Sequence, residues 1–260
     1  MNAPLILQNK TYLVVGAAGR IGRIIVGAVL SAGGRVVALD NDDAGLRVLT
    51  QTHSTDALDC TVVDIADRAS IDHALSLAHK RFSGVDGAVN TAYPRNERYG
   101  RHFFDVKYAD FCENTGMHMG GYFLFMQACA QYALEKRQPF SLVNLSSIYG
   151  SMAPRFDVYE GTAMTMPVEY AAIKAGLEHM TRYVNAYMKG RGATFRANCV
   201  SPGGIKDGQD ERFLESYRGH CMSKGMLDAS DVIGCILFLL SDQSHYLAGQ
   251  NLIVDDGFSL

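Results

Sequence analysis

Tyr170 and Lys174 stand four residues apart in the run Tyr170-Ala171-Ala172-Ile173-Lys174. On a helix that spacing puts both side chains on one face. An ammonium beside a phenol favours the phenolate and draws its pKa down from about 10. A phenol tuned in this way can take a proton from an alcohol while hydride leaves the carbon. The spacing recurs at Tyr132 and Lys136, so spacing alone does not choose between the two pairs. Order along the chain does. Tyr170 follows an apolar run, Leu142-Val143-Asn144-Leu145, that ends in Ser146-Ser147. Tyr132 precedes that run, and Tyr132 with Lys136 reads as a solvated helix end.

A second group of residues suits a dinucleotide. Tyr12-Leu13-Val14-Val15 leads into Gly16-Ala17-Ala18-Gly19-Arg20-Ile21-Gly22 and then a helical pattern. Glycines at a strand-to-helix turn let backbone N–H groups approach a pyrophosphate at the helix N-terminus. The next strand ends at Asp40, eighteen residues after Gly22. An acid there accepts hydrogen bonds from a ribose diol and repels a 2′-phosphate, which favours NAD over NADP. Arg20 is a counter-signal, because a basic residue in the turn could reach a 2′-phosphate. A plain helix N-cap is the other reading of Asp40.

These residues need a scaffold. Short apolar runs at Tyr12–Val15, Arg35–Leu39, Cys60–Val63, Gly87–Val89, Ser141–Leu145, Thr194–Cys199 and Leu252–Val254 alternate with helical segments such as Ile21–Ala32 and Ser70–Phe82. The pattern predicts a doubly wound α/β fold of Rossmann type, a seven-stranded parallel sheet with helices on both faces. Each strand reads as buried on both sides. Residues 1–260 read as one domain, with long connections at 93–101, 150–168 and 201–225. All three follow strand ends, where open α/β sheets bind ligands.

Composition narrows the class. Apolar residues are 48 % and charged residues 20 % of the chain, enough for a full core, so disorder is excluded. A net charge of −3 offers no basic field for nucleic acid or an anionic membrane. The longest apolar run, Val232–Leu240, is too short to span a bilayer. Met1–Leu7 has no basic stretch before a long apolar core, so no secretory signal is expected. Cys60, Cys112, Cys129, Cys199, Cys221 and Cys235 are scattered without metal spacing. They read as inert buried thiols in a reduced, cytoplasmic protein, with no metal site.

With these motifs in order, the chain resembles the short-chain dehydrogenase/reductase family over essentially its whole length. Val63-Asp64-Ile65 resembles the segment that contacts adenine, and Val89-Asn90-Thr91-Ala92 the segment after the fourth strand. Val143–Ser147 resembles the strand that ends in the catalytic serine, and Ser201-Pro202-Gly203 the turn beside the nicotinamide. The resemblance implies that Ser147 polarises the substrate oxygen and Tyr170 is the acid/base. It implies that Lys174 tunes Tyr170 and holds the nicotinamide ribose, and that Ile205 contacts the carboxamide. The implied cofactor contacts are Gly16, Gly19, Arg20, Ile21, Gly22, Asp40, Asp64, Ile65, Asn90, Ala92, Tyr170, Lys174, Pro202, Gly203 and Ile205. Three departures stand out. His118 replaces the relay asparagine, either keeping that role or serving as packing. Asp256 replaces a glycine of the usual Asp-Gly-Gly, and Asp207 a common threonine.

Tyr170 stands twenty-three positions after Ser147, more than the family's usual spacing. The additional loop carries Arg155, Asp157, Tyr159 and Glu160, and the other rim carries Arg95, Arg98 and Arg101. Guanidiniums pair bidentately with phosphate, so this mouth suits a hydroxyl-rich anion. Arg95, Arg155, Ser147, Tyr159 and Glu160 are the expected substrate contacts. Tyr159–Thr162, Met164–Tyr170 and Ser201–Ile205 further resemble flagellin-modification oxidoreductases. That implies oxidation of a phosphorylated or nucleotide-linked sugar in surface-glycan biosynthesis. The alternatives are a 3-oxoacyl thioester reductase and a dinucleotide-binding sensor. Stripes of Phe123, Met126, Cys129 and Ala130, and of Ile173, Leu177, Met180 and Val184, exceed what one core needs. They imply a partner, and the resemblance to the family implies a homotetramer, or a dimer if Asp256 disturbs one interface.

Overall fold

β-branched runs that are apolar on both faces stay in place only when covered on both sides, and the chain folds accordingly. A computed structural model describes residues 6–260; the opening of the Met1–Leu7 segment lies outside them. Seven strands, β1 (Thr11–Val15), β2 (Arg35–Asp40), β3 (Leu58–Val62), β4 (Gly87–Asn90), β5 (Phe140–Leu145), β6 (Phe195–Pro202) and β7 (Asn251–Val254), pair in the order β3-β2-β1-β4-β5-β6-β7. Every pairing is parallel. The winding reverses between β1 and β4, where a crevice opens at the strands' carboxyl ends.

Helices α3 (Arg68–Phe82), α4 (Tyr108–Lys136) and α5 (Val168–Met188) cover one face. Helices α1 (Arg20–Ser31), α2 (Asp43–Thr52) and α7 (Ile233–Leu240) cover the other. A third apolar cluster caps the strand ends. It joins Ile148 and Tyr149, the connection at Val158 and Tyr159, α6 (Glu211–Arg218) through Phe213 and Tyr217, and Met226 and Phe258. Among the described residues no helix is long and apolar enough to cross a membrane.

Several expectations need correction. Strands β3 and β7 are the sheet edges and only half-buried, because an edge has one neighbour. β6 runs three residues beyond the expected Cys199, to Pro202, paired to β7. Of the six thiols, all free, only Cys129 and Cys199 are buried, and Cys112 is exposed. The two helical stripes mostly serve the chain's own core: only Phe123 among them is exposed.

The sharpest correction is Tyr132. It is no solvated helix end but 6 % exposed, inside the α3–α4 core. Its hydroxyl lies 2.8 Å from His79 Nδ1 and accepts from the Val85 N–H at 3.0 Å. Lys136, one turn on, is exposed. Removing one partner from a buried polar pair costs about 1–3 kcal/mol. Tyr132→Phe is therefore expected to lower the melting temperature by about 2–10 °C for a chain of this size, without touching the crevice. A thermal melt checks it; an unchanged melting temperature would mean the hydroxyl contributes nothing.

Candidate active site

The glycine turn follows β1 because each glycine answers a steric demand. Gly16 has φ +75°, and a Cβ there would stand 2.7 Å from Thr91 Oγ1 and 2.9 Å from the Ala92 nitrogen. A Cβ on Gly22 would stand 2.0 Å from the Gly16 carbonyl oxygen. The turn therefore brings bare backbone up to the start of α1, a cradle that fits a pyrophosphate. At the end of β2, Asp40 Oδ2 accepts from the Ala18 N–H at 2.9 Å and Oδ1 from the Asp42 N–H at 3.0 Å. Asp40, Asp64 and Ile65 line one cavity of about 600 Å³, together with Gly16, Ala18 and Gly19. Arg20 is not part of it. Its guanidinium is paired with Asp207 and bonded to the Lys206 carbonyl across the neighbouring cavity. The counter-signal Arg20 and the departure Asp207 thus meet each other.

The neighbouring cavity, about 630 Å³, runs from Gly16–Gly22 to Ser147, Tyr170 and Lys174 and on to Pro202, Gly203 and Ile205. Helix α5 starts after Pro167, which suits a first helical turn, and carries Tyr170 and Lys174 onto the face against β5. Lys174 is 4 % exposed, and its Nζ donates to the Leu145 carbonyl at 2.8 Å. Its Nζ sits 5.5 Å from the Tyr170 ring centre and as far from that of Tyr122. Burial pushes Lys174 down to about 7, against the opposing influence of Cys199 and Glu178.

The electrostatics differ from the sequence expectation in one respect. Burial pushes Tyr170 above the ordinary value of 10, and only the Ser147 hydroxyl pulls it down. The Lys174 Nζ is turned to the Leu145 carbonyl, and Tyr93 and Tyr149 add to the upward push. A phenol in this state is a proton donor; to accept a proton it needs further positive charge beside it, such as an oxidised nicotinamide carries.

The other expected residues divide cleanly. Ala92, Arg95 and Tyr159 line the crevice. Asn90 does not: it is fully buried, and its Oδ1 accepts from the Ala92 N–H at 3.1 Å, so it shapes the turn from behind. Arg155 points away, its guanidinium donating to the Leu260 carbonyl at 3.1 Å and lying 5.6 Å from the Phe258 ring centre. Glu160 is exposed outside the cavity. Arg98 and Arg101 are drawn to Asp110, and Arg98 also to Glu113. Of the five arginines weighed on the rim and in the turn, Arg95 alone lines the crevice without a carboxylate partner among the described residues.

His118 is also displaced from its expected role. It is fully buried, with ring contacts to Tyr93 at 5.1 Å and Tyr122 at 5.4 Å, and is absent from the cavity lining. Burial, reinforced by Lys174 and Arg95, pushes it down to about 2. It cannot accept a proton near neutrality, and among the described residues neither ring nitrogen has a hydrogen-bond partner to relay one. Packing is the reading that remains.

Sequence reasoning missed Glu178, one turn beyond Lys174. It is 6 % exposed and accepts from the hydroxyls of Ser146 at 3.0 Å, Ser151 at 2.8 Å and Ser201 at 3.3 Å. It ties α5 to the ends of β5 and β6 beneath the crevice. Its i+4 spacing from Lys174 was the available signal. Tyr93, Tyr149, Phe213, Tyr217 and Met226, which complete the cavity wall, were also missed.

A family model described as enoyl-(acyl carrier protein) reductase matches residues 16–259. The chain belongs to the short-chain dehydrogenase/reductase family. It is 36 % identical over 258 residues to the post-translational flagellin modification protein A of Campylobacter coli, covering 98 % of this chain and all of that one. It is 28 % identical to a 3-oxoacyl-[acyl-carrier-protein] reductase of Thermotoga maritima, covering 96 % and 98 % of the two chains. The crystal structure of a short-chain dehydrogenase from Leptospira borgpetersenii with bound NAD+ superposes with a TM-score of 0.85 at 29 % identity, covering 98 % of this chain and 94 % of that one. Membership makes the chain an oxidoreductase of the nicotinamide-dinucleotide class rather than a sensor.

The buried ammonium has a measurable signature. The unfolded chain carries lysine at about 10.4, whereas folded Lys174 sits near 7. Between those values the unfolded state binds more protons, so this residue makes stability rise with pH across that window. In Lys174→Met the increment disappears. The cofactor-free wild type is therefore expected to gain several degrees more in melting temperature between pH 7 and pH 9.5 than the variant does. Parallel pH dependences would contradict a depressed Lys174.

Proposed function

We propose that the protein is an NAD-dependent dehydrogenase that oxidises a secondary alcohol of a phosphorylated or nucleotide-linked sugar. The observation that carries the cofactor preference is Asp40. Its carboxylate lines the cavity beyond the glycine turn, while Arg20 is paired with Asp207 in the other cavity. A 2′-phosphate would meet an anion with no cation to offset it. NAD supplies the hydride acceptor. The chain supplies the rest: Ser147 donates to the substrate oxygen, Tyr170 takes its proton, and Lys174 holds the cofactor ribose and offsets the phenolate's charge.

The substrate class follows from the wall. Tyr93, Tyr149, Tyr159 and Tyr217 offer ring faces and hydroxyls, Thr165 and Gln209 further polar groups, and Arg95 a guanidinium for a phosphate. The likeness to the flagellin modification protein supports a glycan setting. A second reading keeps one observation of its own: Met164, Met166, Phe213 and Met226 line the same cavity and would suit a 3-oxoacyl chain. Self-association as a tetramer or dimer and a cytoplasmic location belong to the same proposal. Phe104, Tyr108, Tyr183 and Tyr187 are exposed aromatics that a second copy could cover.

Two experiments test it. Dissociation constants are expected to favour NAD over NADP by at least tenfold, and Asp40→Ala with Asn41→Arg to reverse the order; tighter NADP binding by the wild type would remove the cofactor reading. Turnover is expected when the protein meets NAD and a panel of sugar phosphates and nucleotide sugars, with NADH absorbance as the readout. Tyr170→Phe should cut that turnover by about 10²–10⁴-fold and leave NAD affinity within twofold. Reduction of 3-oxoacyl thioesters with NADPH, in place of sugar oxidation, would establish the second reading.

A further inference from the structure

Asp256, the residue that departs from the Asp-Gly-Gly pattern, is one of four non-glycine residues with positive φ among the described residues, at +54°. Carrying a side chain in that region costs free energy, so something must hold it there. Its surroundings show what does. Asp256 Oδ2 accepts from three successive backbone N–H groups, Ser223 at 3.1 Å, Lys224 at 2.5 Å and Gly225 at 2.8 Å. Oδ1 accepts from the Ser223 hydroxyl at 2.8 Å, and the Asp256 carbonyl from the Met222 N–H at 2.8 Å. Converging N–H groups of this kind make an anion-binding nest. They hold the carboxyl down at about 2, so it stays ionised at any working pH.

The segment 222–225 is the return of the flap that carries α6. Two residues beyond Asp256, Phe258 is fully buried and stacks on Tyr217 with ring centres 4.0 Å apart. The Tyr217 hydroxyl accepts from the Gly204 N–H at 2.6 Å, and Tyr217, Phe213 and Met226 form the cavity wall facing Tyr170. The opposite loop is fastened to the same place: Arg155 reaches the Phe258 ring and the Leu260 carbonyl, and His220 lies 3.0 Å from Asp157. Arg155 and Asp157 of the 150–168 loop are therefore spent on its anchorage.

We infer that residues 255–260 form a clasp that fixes the substrate wall, and that Asp256 is a positioning residue for substrate: its carboxylate holds the flap 211–226 closed while Phe258 seats Tyr217. The inference rests on the reading that the cavity beside Ser147 and Tyr170 receives the substrate.

Asp256→Gly separates this role from plain folding. Glycine accepts φ +54° at no cost, so the variant relieves the backbone and removes only the carboxylate. Hydrogen exchange of the full-length protein is expected to be at least tenfold faster across 211–226 and unchanged in β1, β4 and β5. Asp256→Asn keeps one acceptor oxygen at a residue type tolerant of positive φ, and should fall between the two. With the panel compound that the wild type turns over fastest, Asp256→Gly should raise KM at least fivefold and leave kcat and the NAD dissociation constant within twofold. Unchanged exchange across 211–226 would overturn the clasp. Faster exchange with an unmoved KM would overturn the positioning role. If no panel compound is turned over, the sugar reading fails, and the exchange measurement still decides whether the clasp holds the flap.

Discussion

An ammonium kept out of water needs a hydrogen-bond acceptor at hand, and Lys174 has one in the Leu145 carbonyl at the end of β5. That requirement organises the centre of the molecule. Helix α5 must lie close enough to β5 for the bond to form, so the connection between them has to leave the strand, pass over the crevice and return. Glu178, one turn further on, gathers the hydroxyls of Ser146, Ser151 and Ser201 and so locks the same helix to the ends of two strands. The polar groups beneath the crevice hold each other. Those that face the cavity, on Ser147, Tyr170 and Lys174, keep the freedom to meet a ligand.

The parallel sheet determines where the two halves of that ligand can lie. The reversal of winding between β1 and β4 leaves adjacent strand ends with their connections running in opposite directions. The glycine turn, Asp40 and Asp64 stand on one side, and β5, α5 and β6 on the other. Hydride chemistry suits such a division, since one side can be shaped for a constant cofactor and the other varied. In this chain the variation is a wall of tyrosines and methionines carried by the 150–168 connection and α6, packed around Phe258 as a separate small core. Arginines that a charge count assigns to the rim turn out to pair with Asp110 or reach the 255–260 segment, and Arg20 of the glycine turn pairs with Asp207. A guanidinium near a carboxylate in a partly dry setting is held there by strong, directional bonds. Of those arginines, Arg95 lines the crevice with no carboxylate partner among the described residues.

What the sequence determined by itself is what local pattern carries. Strand and helix order, the glycine turn, the Asp40 position and the Tyr170–Lys174 pair were legible because each rests on local pattern or chain order: short apolar runs, period 3.6, a turn that only glycine fits, or a place after the run that ends in Ser147. Edge strands, the depth of Tyr132 and the idle state of His118 were not. Burial is a property of what lies opposite, and the opposite surface comes from residues far along the chain. Tyr132 and Tyr170 share one spacing; chain order separates them, and tertiary structure gives the first a Val85 N–H and the second a cavity. Asp256 makes the same point most clearly. The sequence showed it as a departure from pattern, and the tertiary structure decided its meaning by bringing three N–H groups from 31 to 33 residues away onto one carboxylate oxygen.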